Sequence, residues 1–311
     1  MQTLQSQLPS QDWVEERANY IGGSDVATIL GENPYSTPLQ LWLRKKGLIP
    51  PIEDSPILRF GHFFEPILAQ HFEDVTGLKT RQVNKTYQHP EHSFLRANID
   101  RMVLSDPKKG LESTAVLELK TTTSHRLKAL DGELPQEWLL QAYHYLGITG
   151  FSKAWLQCYE RDTCIFHDPV LIQRDDDLIA QNMSKLIQWW QIHMIEGKQP
   201  EPINGEDTLI LYPNSRDGKV LEATPNELHI YEELKEVRSR KEDFIKQEEH
   251  LKTKLKNKIG HHERIVAGGK SLVSWKSNTQ NRLDTTAFKS AHPLLYKKYL
   301  TPTKTRRFLC H

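Results

Sequence analysis

The segment Ala115-Val-Leu-Glu-Leu-Lys-Thr121 constrains the chain more than any other. Read as an extended strand, it sends successive side chains to opposite faces. Leu117 and Leu119 then share one face, and Val116, Glu118 and Lys120 share the other. A strand that buries leucines on one side and carries a carboxylate beside an ammonium on the other must pair those charges or give them a metal. Upstream, Phe94-Leu-Arg-Ala-Asn-Ile-Asp100 is a second alternating run, and Asp106-Pro-Lys-Lys-Gly110 between the two predicts a hairpin turn. That hairpin carries Asp100 toward Glu118. Two carboxylates about 4 Å apart repel by about 4 kcal/mol at an effective dielectric of roughly 20. A divalent cation between them converts the repulsion into binding.

At 311 residues, 37% of them hydrophobic, the chain has material for one large domain, or for one domain with an appendage. Its net charge of +1 conceals an asymmetry: residues 225–311 hold 19 Lys and Arg against 10 Asp and Glu, and the remainder holds 22 against 30. A basic end on an acidic body points to a polyanion partner for that end, with a solvated helix face as the plainer account. Cys158, Cys164 and Cys310 suit a reducing compartment and are too few for a four-cysteine iron–sulfur site. Met1-Gln-Thr-Leu opens no signal peptide, and no apolar run approaches roughly 20 residues. The expectation is a soluble protein of the cytoplasm.

Taken in order, residues 1–12 read as a loose polar start. Gly22-Gly23-Ser24 ahead of an apolar-periodic run ending at Gly31 predicts a helix capped by Ser24. Ser24 beside a glycine turn is also placed to hold an anion, and Arg17 reaches the same spot; capping is the simpler account. Residues 37–47 predict an amphipathic helix with Leu39, Leu41, Trp42 and Leu43 inward. Leu58 to Val75 predicts a longer one, striped by Phe60, Phe63, Phe64, Ile67, Leu68 and Phe72 and bordered by Glu65. Three strands follow over roughly 79–87, 93–104 and 114–122, then a helix from Glu133 to Leu146 introduced by Pro135. On that helix Gln141 and Tyr145, four apart, share a face. A hairpin over 152–172 completes the sheet, and a helix from Asp175 to Glu196 carries Trp189 and Trp190 into a core or interface. Residues 1–203 thus read as one core and 204–224 as an irregular linker. Residues 225–311 read as a basic extension, a long helix or helix pair plus a β-hairpin around Gly268-Gly269. In it Trp275, Lys276, Arg282, Lys297, Lys298, Arg306 and Arg307 are candidate contacts to a duplex or single strand of DNA, and solubility alone accounts for them almost as well.

Several of these stretches together resemble one family. Ile21-Gly-Gly-Ser-Asp-Val-Ala27, Leu30-Gly-Glu-Asn-Pro-Tyr-Ser-Thr-Pro-Leu-Gln-Leu-Trp42, Gly61-His-Phe-Phe-Glu65, the Asp100/Glu118/Lys120 triplet and Gln141-Ala-Tyr-His-Tyr145 are similar to the YqaJ viral recombinase family. Those are phage-type nucleases related to phage lambda exonuclease, within the PD-(D/E)xK superfamily. The likeness runs from residue 13 to about 196. Ile99 stands where the superfamily often has proline before the aspartate.

The resemblance implies an α/β fold, a mixed α+β sheet flanked by helices with a restriction-endonuclease-like core. It implies that Asp100, Glu118 and the Leu119 carbonyl hold Mg²⁺, with Mn²⁺ as the substitute, and that Glu65 is a further metal-site carboxylate. Lys120 would orient the attacking water and offset charge on the phosphate. Gln141 and Tyr145 would touch the DNA backbone and support Lys120 or the metal waters, and Arg17 and Ser24 would grip a terminal 5′ phosphate. The implied activity is 5′→3′ exonuclease digestion of double-stranded DNA ends, leaving 3′ single strands for an annealing protein of the RecT or Red-beta type. The implied assembly is a homotrimer. Two other readings stay open on the residues alone: an endonuclease of the same superfamily acting in restriction or defence, and a non-catalytic nucleic-acid-binding scaffold.

Overall fold

The computed structural model describes residues 16–52, 55–130, 133–216, 218–301 and 305–310; the polar start expected over residues 1–12 lies outside them. Side-chain caps set the first helices. Helix α1 (Gly23–Ile29) starts at Gly22, whose N–H donates to Asp25 Oδ2 at 3.1 Å. Gly22, and not Ser24, is therefore the N-cap, because the carboxylate three residues on supplies the acceptor. Helix α2 (Pro38–Lys45) starts on Thr37, whose hydroxyl accepts from the Gln40 N–H, and it buries Leu39, Leu41, Trp42 and Leu43 as expected. Helix α3 (Pro56–Thr76) is capped by Ser55 and closed by Gly77 at φ +69°. Its apolar stripe is only half used. Leu68 and Phe72 are buried and Phe64 partly so, against Leu117, Leu119 and Tyr159, whereas Phe60, Phe63 and Ile67 are exposed.

The strands are β1 (Thr80–Gln82), β2 (Tyr87–Gln88), β3 (Arg96–Ala97), β4 (Arg101–Val103) and β5 (Ala115–Thr122). The two strands expected over 79–87 and 93–104 are thus each broken in two. At the second break the Asp100 carboxylate accepts the Leu119 N–H at 2.9 Å, so a side chain stands where a continuous ladder would use backbone. The expected turn before β5 is present, a tight helical turn over Pro107–Lys109 ending on Gly110 at φ +76°.

Helix α4 (Ser124–Ala129) leaves the end of β5, and α5 (Gln136–Thr149) follows Pro135. Strands β6 (Lys153–Glu160), β7 (Ile165–Phe166) and β8 (Val170–Gln173) precede α6 (Asp176–Trp189), which runs into a π-helical turn over Trp190–Ile195. The sheet order is β1-β4-β5-β6-β7, with β8 also paired to β6. Only β5 and β6 run parallel; the other pairs are antiparallel, which makes the sheet mixed.

Alternation along β5 divides the core between the two faces. Leu117 and Leu119 pack with α3, while Val116 joins α1, α2, α5 and α6, together with Ala154, Leu156 and Cys158 of β6. Trp189 and Trp190 are buried in that second cluster. This is the mixed α/β class read from the sequence, a sheet flanked by helices.

The expected linker is not irregular throughout. Helix α7 (Gly205–Leu211) forms there, capped by Asn204, because Asp207 has buried work to do. Its carboxylate accepts from the Thr37 hydroxyl at 2.8 Å, the Gln40 amide at 3.2 Å and the Ile203 N–H at 3.1 Å. The chain divides into two compact units, the first ending at Tyr212 and the second beginning at Pro213. The second unit holds one unbroken helix α8 (Pro225–Ile259) and the hairpin β9 (Arg264–Ala267) with β10 (Lys270–Ser274). It ends in two short helices the sequence did not announce, α9 (Thr285–Ala291) and α10 (Pro293–Lys298). Among the described residues no helix is long and apolar enough to cross a membrane.

Candidate active site

Strand register decides who meets whom. Arg101 pairs with Leu117 in the β4–β5 ladder, so Asp100, one step earlier, stands across from Glu118. Glu118 is 1% exposed. Its Oε1 accepts from Lys120 Nζ at 2.6 Å and from Gln141 Nε2 at 2.6 Å. Its Oε2 is buried with no donor. Lys120 also donates to Gln141 Oε1 at 2.8 Å, and Gln141 Nε2 reaches the Tyr145 hydroxyl at 2.8 Å. One carboxamide thus bridges the ammonium and the carboxylate. It is itself held by the residue one turn along α5.

The electrostatics follow from burial. Desolvation, then the Asp100 carboxylate, pushes Glu118 up to about 8, and Lys120 pulls the other way without cancelling them. Asp100 is raised by the same desolvation, against the lowering influence of Lys120 and the Leu119 N–H. Burial pulls Lys120 down, but Glu118 and Asp100 outweigh it and leave the ammonium firmly protonated. The site therefore carries more carboxylate than one ammonium satisfies.

Glu65 arrives from α3 and is bonded to His62 Nδ1 at 3.1 Å. Burial and the nearby Asp100 charge raise its carboxyl above the usual range. Asp100 acts electrostatically on both Glu65 and Glu118. Among the described residues no three His, Cys, Asp or Glu side chains converge as a ligand set. Asp100 Oδ2 takes the Leu119 N–H, and Glu118 Oε1 takes Lys120 and Gln141. The residues still suit a hard divalent cation, which takes oxygen ligands. Lys120 matches Glu118 Oε1, but the buried Oε2 has no donor, and a buried polar atom left without a partner is costly.

Gln141 and Tyr145 are both buried, and what they touch is Glu118, Lys120 and each other. These contacts fit the expected support of Lys120. Arg17 Nη2 donates to Ser24 Oγ at 2.6 Å, so these two meet as expected.

Sequence reasoning missed what stands behind them. Asp25 is buried and ion-paired to Lys45 at 2.9 Å, with Arg17 at 3.7 Å. Lys45 also donates to the carbonyls of Arg17 at 3.0 Å and Tyr20 at 2.6 Å. No local pattern marks Lys45, because its partners lie 20 or more residues away. The two clusters abut. A Cβ on Gly23 would lie 2.5 Å from Tyr145 Cε1 and 2.9 Å from Gln141 Cγ, so only glycine permits that approach of α1 to α5.

The C-terminal candidates belong to the second unit and are all exposed. Lys276 pairs with Glu263 at 3.3 Å, and Arg282 donates to Gln280 at 3.0 Å. Trp275 is half exposed, and Arg306 and Arg307 lie in the exposed tail.

Residues 12–152 match the model of the YqaJ-like viral recombinase domain. YqaJ of Bacillus subtilis (strain 168), itself uncharacterised, is 30% identical over 312 residues, covering 97% of this chain and 94% of that protein. An uncharacterised protein of Acanthamoeba polyphaga mimivirus is 24% identical over 189 residues, covering 58% of this chain and 34% of that protein. Among solved structures, an alkaline exonuclease from Laribacter hongkongensis superposes with a TM-score of 0.48 at 19% identity, covering 60% of this chain and 94% of that one. A phage-related exonuclease from Haemophilus somnus 129PT gives a TM-score of 0.40 at 13% identity, covering 58% of this chain and 96% of that one.

Proposed function

The chain belongs to the YqaJ-like viral recombinase family, and from that membership and its site we propose that it is a metal-dependent deoxyribonuclease hydrolysing phosphodiester bonds. The finer reading is a 5′→3′ exonuclease on double-stranded DNA ends. It would leave 3′ single strands for an annealing partner of the RecT or Red-beta type. One observation carries the hydrolytic reading: Glu118 Oε2 is buried without a donor, across the ladder from Asp100, in a site already short of positive charge.

Asp100, Glu118 and the Leu119 carbonyl would hold Mg²⁺, or Mn²⁺ in its place, with Glu65 as the outlying carboxylate. A bound divalent ion supplies Lewis-acid polarisation of the phosphoryl oxygen and neutralises its charge. The rest falls to the chain's own groups. Lys120, held protonated by its neighbours, would orient the attacking water and stabilise negative charge as it builds on the phosphate oxygens. Gln141 fixes that ammonium, and Tyr145 fixes Gln141. Arg17 and Ser24, already in contact, offer a donor pair to a terminal 5′ phosphate. Gly23 packs the helix that carries Ser24 against the Gln141 helix, which supports coupling of end recognition to cleavage.

The test uses wild type and Lys120→Ala on linear duplex with 5′-phosphate or 5′-hydroxyl ends and on covalently closed circles, with and without Mg²⁺. The proposal expects Mg²⁺-dependent loss of linear DNA, faster from phosphorylated ends, abolished by Lys120→Ala. Circles cut as fast as linear DNA would favour the endonuclease reading. Binding with no cleavage under any metal would leave only the scaffold.

A further inference from the structure

Helix α8 runs unbroken for 35 residues, about 50 Å at 1.5 Å per residue, yet nearly all of it is exposed. Its side chains are not randomly placed. Ile230, Leu234, Val237, Phe244, Leu251 and Leu255 fall on one seam, and Lys241 and Glu248 fill its two remaining steps. From residue 230 to 255 the spacing alternates strictly between four and three. That repeat is the signature of a helix that winds against another helix. Val237, Arg240, Lys241, Phe244, Ile245 and Glu248 line a shallow groove at the middle of the helix. Away from the seam, ion pairs one turn apart, such as Lys235 with Glu232 at 3.1 Å and Lys246 with Asp243 at 3.4 Å, support the solvated face.

Charge says what covers the seam. Residues 225–236 carry four glutamates and one lysine, whereas residues 252–258 carry four lysines and no acid. Two copies aligned in parallel would set acid against acid at one end and lysine against lysine at the other. They would also oppose Lys241 to Lys241 and Glu248 to Glu248 in the seam, where like charges are least tolerated. Two antiparallel copies invert every one of these contacts. Aligned with the two-fold axis near residues 242–243, Ile230 meets Leu255 of the second copy and Leu234 meets Leu251. Lys241 then comes within a turn of Glu248 of the second copy, and the acidic start lies along the lysine-rich end.

We infer that α8 is an interaction surface for a second copy of this chain, which pairs with it as an antiparallel two-helix coiled coil. The pairing buries the seam and satisfies the polar end-to-end asymmetry of the helix. It joins chains two by two, whatever assembly the first unit makes.

The test uses the full chain in light scattering and sedimentation at micromolar concentration. The expected mass for wild type is an even multiple of the chain. Phe244→Glu, at an exposed position, halves it while circular dichroism retains the helix. Lys241→Glu and Glu248→Lys each weaken association several-fold, and the double exchange restores it, because only the antiparallel arrangement sets residue 241 near residue 248. A wild-type chain that is monomeric, or whose mass ignores Phe244→Glu, overturns the inference. A fall in melting temperature for Phe244→Glu at unchanged mass would assign the seam to the chain itself. A double exchange no better than the singles overturns the antiparallel arrangement, and this arm reads out even if Phe244→Glu fails to fold.

Discussion

Gln141 Oε1 accepts a hydrogen bond from Lys120 at 2.8 Å, and the same carboxamide donates to Glu118, the carboxylate that Lys120 also pairs with. The ammonium is therefore held by Glu118 on one side and by the buried Gln141 on the other. A hydrogen bond to a charged group is worth about 1.5–3 kcal/mol, so Gln141→Met, close in size, should slow cleavage by about 10- to 100-fold. Duplex binding should hardly change, since the residue is buried. Initial rates at saturating Mg²⁺ beside a binding isotherm check this; an unchanged rate would mean that something else positions Lys120.

Gly23→Ala should cripple the site from outside it. The added methyl would press within 2.5 Å of the Tyr145 ring and 2.9 Å of Gln141, contacts that packing cannot absorb without moving α1 from α5. Overpacking of this kind costs about 1–3 kcal/mol. Loss of cleavage should exceed what that destabilisation explains, because Gln141 shifts with the ring. Gly61→Ala is the control: its nearest neighbour would be Thr121 Oγ1 at 3.9 Å, an ordinary contact. Melting curves and cleavage rates of the two variants, measured together, separate crowding from mere loss of glycine.

The pairing of Asp100 with Glu118 was legible because strand alternation and one turn fix it locally. Lys120 and Glu118 came with the strand itself. Other features escaped for physical reasons, some of which no single window contains. The strand expected over 93–104 breaks because the Asp100 side chain competes for the Leu119 N–H, a contest between side chain and ladder. Helix α7 exists because Asp207 finds Thr37 and Gln40 some 170 residues back in the chain. The Ser24 cap was misassigned because Asp25, equally able to accept a hydrogen bond, lies one residue on and takes the Gly22 N–H. Phe60, Phe63 and Ile67 fit a helical stripe perfectly well, but periodicity does not tell which half of a helix finds a partner.

His144 should dominate the acid limb of stability. Its Nε2 faces the Arg96 carbonyl oxygen at 2.9 Å and so carries the hydrogen, while its Nδ1 is buried without a partner. Desolvation pushes its pKa down from 6.5 to about 4. The unfolded chain thus binds a proton between those values that the folded chain refuses. Stability from this residue is complete above about pH 6.5, falls as pH drops from there, and is fully lost below about pH 4. At about 1.36 kcal/mol per unit, the change amounts to roughly 3 kcal/mol. Urea unfolding followed by tryptophan fluorescence across that range should show a shallower slope for His144→Gln than for wild type. Parallel slopes would show that other groups carry the titration.

The Asp25–Lys45 pair should behave as a unit. Burial alone would raise the Asp25 carboxyl, but Lys45 and then Arg17 hold it below its ordinary value, so the pair is charged and buried together. Asp25→Asn leaves Lys45 facing only the carbonyls of Arg17 and Tyr20, an uncompensated buried charge. Breaking one side of such a pair costs about 3–5 kcal/mol. Asp25→Asn with Lys45→Met removes both charges and should cost less than Asp25→Asn alone, since an apolar replacement of the whole pair is close to neutral. The wild-type contribution from Asp25 is present above the unfolded carboxylate pKa and disappears as pH falls through its depressed folded value. Because Asp25 also lies 3.7 Å from Arg17, the single variant should weaken the preference for 5′-phosphorylated ends, and the double variant should not recover it. Urea midpoints and paired digestion rates on phosphorylated and hydroxyl ends decide the matter. A double variant as unstable as the sum of the singles would show that the two residues do not act on each other.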